Sequence, residues 1–295
     1  MKRLLAFMLV ALTFIYLPAH AWWPAGHSTL SEAAVRALPR EMPSYFRRGG
    51  AMIAHCAQDP DVVKQRDLPN ANDSEQPEHY IDYELLQGRA LPPTRYQYVQ
   101  LCAELKLDPK EVGLLPYAVA EWTERLAMAF AEHRRWPHDY SIRSKSLVYA
   151  GFLAHYAQDM CMPLHVTVHH DGRANPDGSS PRTGIHAKVD SLIQKLALKP
   201  ADLAKHQTIE PVPELMPAIF AELNRSRSLV DRVYELESSL PVENGAWRPR
   251  AEISDFTTER GREATRFTAV LCLTAWRKSA SLSLPAWLER GRRQS

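Results

Sequence analysis

An all-α fold, one compact multi-helix domain with long ordered loops, is predicted by three features of the sequence. Apolar residues recur at intervals of three and four in several long segments, no segment alternates as a half-buried strand does, and Pro, Asp, Asn and Gly gather between the periodic segments. No internal repeat or low-complexity tract suggests an array.

The elements follow in chain order. Lys2 and Arg3, an apolar stretch from Leu4 to Leu17 and the Ala19-His20-Ala21 cleavage pattern predict a secretory signal peptide over 1–21. Residues 22–295 are then an exported chain, periplasmic or secreted, with cleavage between Ala21 and Trp22. The leader's apolar stretch is short of the roughly 20 residues that cross a bilayer, and no later segment reaches that length, so no stable membrane span is expected. Ser28 is positioned to cap a helix over Ser28 to Leu38. Asp59 to Pro77 reads as a long loop. Val119, Trp122, Leu126 and Phe130 form one helical face, and Leu147, Gly151, Ala154 and Gln158 another, in a helix that Pro163 should end with His165 in the turn beyond. His170 to Thr183 is a second loop, after which a helix should begin near His186. One more helix is expected from about Glu214 to Glu237, then a loop from Ser239 to Arg250. A last long helix should run from Phe256 to Ser281, with Phe267, Leu271 and Thr274 along it.

Composition sets bounds on function. The 295 residues suffice for one large domain with a substantial core. Loss of Lys2 and Arg3 takes the formal net charge from +2 to zero, so no global basic field marks the chain for nucleic acid. Arg290, Arg292 and Arg293 read as a frayed basic tail. Cys56, Cys102, Cys161 and Cys272 are widely spaced without a C-x-x-C, which argues against a zinc ribbon or a thioredoxin motif; export permits disulfides, and four cysteines allow three pairings. Cys161 reads as a packing residue.

The chemistry concentrates in His155-Tyr-Ala-Gln-Asp159, His165, and His186-Ala-Lys-Val-Asp190. On a helix, residues four apart stack on one face about 5 to 6 Å apart, so each His-x-x-x-Asp pair can touch one ion. Imidazole with carboxylate and no thiolate is the mixture of a catalytic zinc site that keeps a position open. Upstream stand Asp59-Pro-Asp61, His79-Tyr-Ile-Asp82 and Trp22-Trp-Pro-Ala-Gly-His27. Asp59, Asp61 and Asp67 all lie in the relevant loop; Asp61, with a basic residue three positions on, fits best. His55, His133, His138, His169, His170 and His206 lack such framing and read as surface or packing histidines. Tyr80 and Phe152 read as core.

From Trp22 to Asp190 these motifs, in this order, resemble the trinuclear-zinc phosphodiesterases that include bacterial phospholipase C and the single-strand-specific nucleases. The resemblance implies a trinuclear metal cleft and three Zn²⁺ ions. Asp61, His79, His155 and Asp159 would hold one; His165, His186 and Asp190 a second; and Trp22, through its α-amine and carbonyl, with His27 and Asp159, a third. It also implies phosphodiester hydrolysis by metal-activated water, with Asp61 as the catalytic residue that orients or deprotonates that water. An α-amine and its own carbonyl chelate a metal only when that residue is first in the chain, so cleavage of the leader would complete the site.

The interval from Trp22 to His27 and the terminal Asp190 lean toward the nuclease branch, making single-stranded nucleic acid the expected substrate. Phospholipase C acting on phospholipid is the runner-up, because Met162, Val189 and Asp171 to Gly178 depart from the nuclease pattern. A non-catalytic exported zinc-binding protein is the alternative of another class. No protein partner is predicted.

Overall fold

Prolines and short polar caps set where the helices begin. The computed structural model describes residues 22–242 and 246–293, apart from the side chains of 290–293. The expected leader, 1–21, and the side chains of Arg290, Arg292 and Arg293 lie outside the described residues. Pro24 occupies the first turn of α1 (Pro24–Ala37), where a missing N–H costs nothing, so the helix starts ahead of the expected Ser28 cap. Ser28 lies inside the helix and its hydroxyl donates to the Ala54 carbonyl at 3.2 Å.

Helices α2 (Ser44–Arg48), α3 (Gly50–Cys56), α4 (Asp59–Val63) and α5 (Pro69–Glu75) follow. The last two correct the expectation of a loop over Asp59 to Pro77. Each opens with a proline in its first turn, so the composition that suggested a loop marks helix starts instead. A 3-10 turn, Gln76–His79, then delivers His79. Beyond α6 (Arg95–Leu105) and α7 (Pro109–Val112) come the two long helices α8 (Leu115–Arg135) and α9 (Tyr140–Met160). Asp139 caps α9 by accepting from the Ile142 N–H at 3.2 Å. Residues 136–139 are too short to do more than reverse the chain, so α8 and α9 lie antiparallel. Trp122 of α8 stacks on Phe152 of α9 with centroids 4.6 Å apart.

As expected, α9 stops before Pro163, and His165 sits in the 3-10 turn Pro163–His165. Next come α10 (Ile185–Asp190), α11 (Leu192–Lys195) and α12 (Pro200–Ala204). The single helix expected over Glu214 to Glu237 is broken into α13 (Leu215–Arg227) and α14 (Val230–Glu235). At the break the Ser228 hydroxyl donates to the Arg225 carbonyl at 2.7 Å, a local bond that competes with the helical ladder. Finally, α15 (Ala251–Lys278) starts ahead of Phe256, and α16 (Ala286–Arg293) follows it. No β-strand occurs among the described residues, and all four cysteines are buried free thiols.

Helix α15 packs across α8 and α9, while α1 lies against α3, α9, α12 and α15. The half of α9 from Leu153 to Met160 is buried on every side, as a helix surrounded by others must be. Gly151 makes its approach to α3 possible: a Cβ there would stand 2.9 Å from the Cys56 carbonyl carbon and 3.0 Å from the Ala57 nitrogen. Backbone cannot step aside as a flexible side chain can. Gly151→Ala is therefore expected to destabilise the fold by about 1 to 3 kcal/mol, read as a lower denaturant midpoint at unchanged slope. A midpoint equal to the parent's would show that the crossing is loose.

Candidate metal centre

Four helices and two tight turns bring the predicted donors together. His27 comes from α1, Asp61 from α4, His79 from the turn after α5, and His155 and Asp159 from α9. His165 comes from the turn after α9, and His186 and Asp190 from α10. Three groups have ligand atoms all within 4.8 Å of one another: His27, His155 and Asp159; Asp61, His79 and His155; and His165, His186 and Asp190. All eight residues are buried.

Asp159 joins the groups. One of its oxygens lies 3.4 Å from His27 Nε2; the other lies 3.2 Å from His79 Nδ1, 3.3 Å from His155 Nε2 and 3.8 Å from His165 Nδ1. His155 Nε2 lies 2.9 Å from His79 Nδ1, and His165 Nε2 lies 3.0 Å from His186 Nε2, which is 3.3 Å from an Asp190 oxygen. Two donors sharing a tetrahedral zinc at about 2.0 to 2.1 Å stand roughly 3.3 Å apart. The observed spacings match that edge.

Protonation points the same way. The Nδ1 of His155 meets the Ala57 carbonyl at 2.8 Å, that of His165 meets the His79 carbonyl at 2.6 Å, and that of His27 meets Gln158 Oε1 at 2.7 Å. Donation from Nδ1 leaves each Nε2 a lone pair aimed into the centre, the outer-shell arrangement of metal-bound imidazoles. His27 Nε2, Asp159 Oδ1, His186 Nδ1 and the Asp190 oxygens lack hydrogen-bond partners although buried. Buried polar atoms without partners are costly unless something binds them. No thiolate belongs to the groups, so the donor chemistry fits zinc. Cys161, two residues past Asp159, stands in none of them.

Burial pushes His27 down to about 4, holds His79 and His186 well below the usual imidazole value and lowers His165, so all four are neutral at pH 7. Burial also pushes Asp159 up to about 6 and Asp190 well above the usual carboxyl value. A metal needs the deprotonated carboxylate, so zinc uptake at pH 6 is expected to release protons and to weaken as the pH falls further. Calorimetry in two buffers of different ionisation enthalpy checks this; identical heats at pH 6 would refute it.

Trp22 is placed by its indole, which is fully buried and donates to the Gln158 carbonyl at 3.2 Å, while the Trp23 N–H reaches the Asp190 carbonyl at 3.3 Å. The chain at residues 22 and 23 is thereby tied to Asp190 and to Gln158, the neighbour of Asp159. Among the three candidate aspartates, Asp61 is buried in the centre, Asp67 is exposed, and Asp59 is half-buried and outside the groups.

Several participants were not singled out from sequence. Lys64 is buried with its ammonium 2.7 Å from Asp61, and Glu75 lies 3.7 Å from His79 Nε2 and bonds the Tyr156 hydroxyl. The Glu-x-x-x-His spacing of Glu75 and His79 was a visible signal. His170 corrects the reading as a mere surface or packing histidine, because it lines the cavity over the centre with its ring 6.3 Å from that of His186. That cavity, of about 220 Å³, is also lined by Lys64, Gln76, His79, Tyr80, Asp82, Glu111, Leu164, His165 and His186. Tyr80, read as core, is thus a cavity residue. His133 packs between Tyr45 and Trp276, and His55, His138 and His206 are exposed.

No family model and no curated protein matches the chain. Among solved structures it is similar to the alpha toxin from Clostridium absonum, at 12% identity and a TM-score of 0.47, with 88% of this chain and 66% of that one covered. It is also similar to the Clostridium perfringens alpha-toxin isolated from avian strain SWCP, at 12% identity and a TM-score of 0.44, with 88% and 65% covered. The chain thus spans less than two thirds of either toxin's length.

Proposed function

We propose that the chain is an exported zinc-dependent phosphodiester hydrolase, and that phospholipid with a cationic head group is its preferred substrate. The observation carrying the reading is the convergence of eight buried imidazole and carboxylate side chains beneath one open cavity. The nine positions expected from sequence, Trp22 included, would hold three zinc ions. Bound zinc supplies charge neutralisation for phosphate oxygens and makes water acidic enough to react near neutral pH.

The chain's own residues supply the rest. Lys64 presents a buried cation beside Asp61, placed to attract a phosphate oxygen. Asp61 orients the reacting water and takes its proton. The cavity's outer lining sets substrate preference. Tyr80, Asp82 and Glu111 offer an aromatic ring and two carboxyls against the single lysine. Such a lining suits a quaternary ammonium, through the aromatic ring and the carboxyls, better than it suits the repeated phosphates of a polynucleotide, for which it offers one lysine. Burial raises Asp82 to about 8, so an arriving cation would draw out its charge. This reverses the order of substrates expected from sequence, for which the comparisons offer no support.

The test incubates the processed, zinc-replete protein with phosphatidylcholine, single-stranded DNA, RNA and bis-nitrophenyl phosphate in parallel. Intact mass first establishes that Trp22 leads the chain. Hydrolysis of phosphatidylcholine above the nucleic acids is expected; the opposite order restores the nuclease reading. Three bound zincs without turnover of any substrate would leave a zinc-binding protein.

A further inference from the structure

We propose that Gln158 is a positioning residue for the Trp22, His27 and Asp159 side of the centre, its carboxamide fixing which imidazole nitrogen His27 turns inward. The inference rests on the zinc reading above. Gln158 lies between His155 and Asp159 on α9, rotated off their face, and is fully buried. Its Oε1 meets His27 Nδ1 at 2.7 Å and its Nε2 donates to the Ser31 hydroxyl at 3.0 Å. His27 and Ser31 are one turn apart on α1, so one side chain grips both.

The grip decides the tautomer. With Oε1 on its Nδ1, His27 carries its proton there and presents a bare Nε2 toward Asp159, 3.4 Å away. A reversed amide would place two N–H groups against each other or turn the imidazole proton inward. The same residue also holds the neighbouring donor. At the C-terminal end of α9 the Gln158 carbonyl accepts the Cys161 N–H at 3.1 Å and, with its second lone pair, the indole N–H of Trp22 at 3.2 Å. Side chain and main chain of one residue therefore align the two parts of α1's approach that would ligate metal, Trp22 and His27.

Zinc content and affinity of the processed protein, by chelator competition, test this, together with the thermal midpoint of the metal-free form. Wild type should hold three zincs. Gln158→Leu should weaken one of them about 10- to 100-fold and leave two unchanged. Gln158→Glu, which keeps an acceptor for Nδ1, should restore it. Should Gln158→Leu fail to fold, Ser31→Ala frees the carboxamide's other end and should weaken the same zinc. Wild-type affinity for all three in these variants overturns the inference and leaves the zinc reading standing. Equal weakening of all three with a lower metal-free midpoint also overturns it, as a packing role would produce that. A wild type that binds no zinc removes the zinc reading and this inference together.

Discussion

Stripping zinc from the processed protein with a chelator at pH 8 is expected to lower its thermal midpoint by at least about 15 °C. Each site held at a thousand times its dissociation constant adds about 4 kcal/mol, and about 1 kcal/mol moves the midpoint of a domain this size by roughly 2 to 4 °C. Three such sites together supply about 12 kcal/mol, which exceeds the stated shift even at the lower sensitivity. The loss should shrink at pH 5. The folded values of Asp159 and Asp190 lie above their unfolded ones. The stability those carboxyls contribute to the metal-free fold is therefore full below about pH 4, their unfolded value, and lost as pH rises through about 6 for Asp159. Buried charge is what zinc relieves, so the benefit of metal grows with pH. Differential scanning calorimetry of holo and stripped protein at the two pH values reads it; a shift under 5 °C at pH 8 would be incompatible with three structural commitments to metal.

Asp159→Ala should reduce kcat/KM on the best phosphodiester by at least about a thousandfold, roughly 4 kcal/mol of transition-state stabilisation. No other donor touches as many of the groups: its two oxygens reach His27, His79, His155 and His165 within 3.8 Å. Alanine would leave four imidazoles facing one another around a hole. The metal-free variant should nonetheless be at least as stable as the metal-free parent above pH 6, because it no longer buries a carboxylate that burial disfavours. Activity and apo stability thus move in opposite directions, which a general folding defect does not do. Residual activity within tenfold of the parent would exclude a central role for this carboxylate.

How far these features were legible depends on the range of the interaction behind them. His155 with Asp159, and His186 with Asp190, are helical neighbours, so local geometry alone brings each pair together. The stop of α9 before Pro163 is likewise local. Asp59 to Pro77 misled because proline opens helices as readily as it interrupts them; α4 is further held by burial of Pro60 and Asp61 and packing on α9. Glu214 to Glu237 misled for the opposite reason, an apolar period that continues across a serine-made break. Lys64, three residues past Asp61, is a local neighbour like the His-x-x-x-Asp pairs, whereas Gln158 and His170 owe their contacts with His27 and His186 to packing between separate elements. Nothing in the spacing around them announces it.

The seating of Trp22 and Trp23 against Gln158 and Asp190 also governs timing. The first residues of the described chain cannot dock until the stretch through residue 190 has emerged and folded, a loop closure among the longest this domain has to make. On the zinc reading proposed above, capture of the full complement of ions would then wait for that docking, and a chain truncated before residue 190 would lack it.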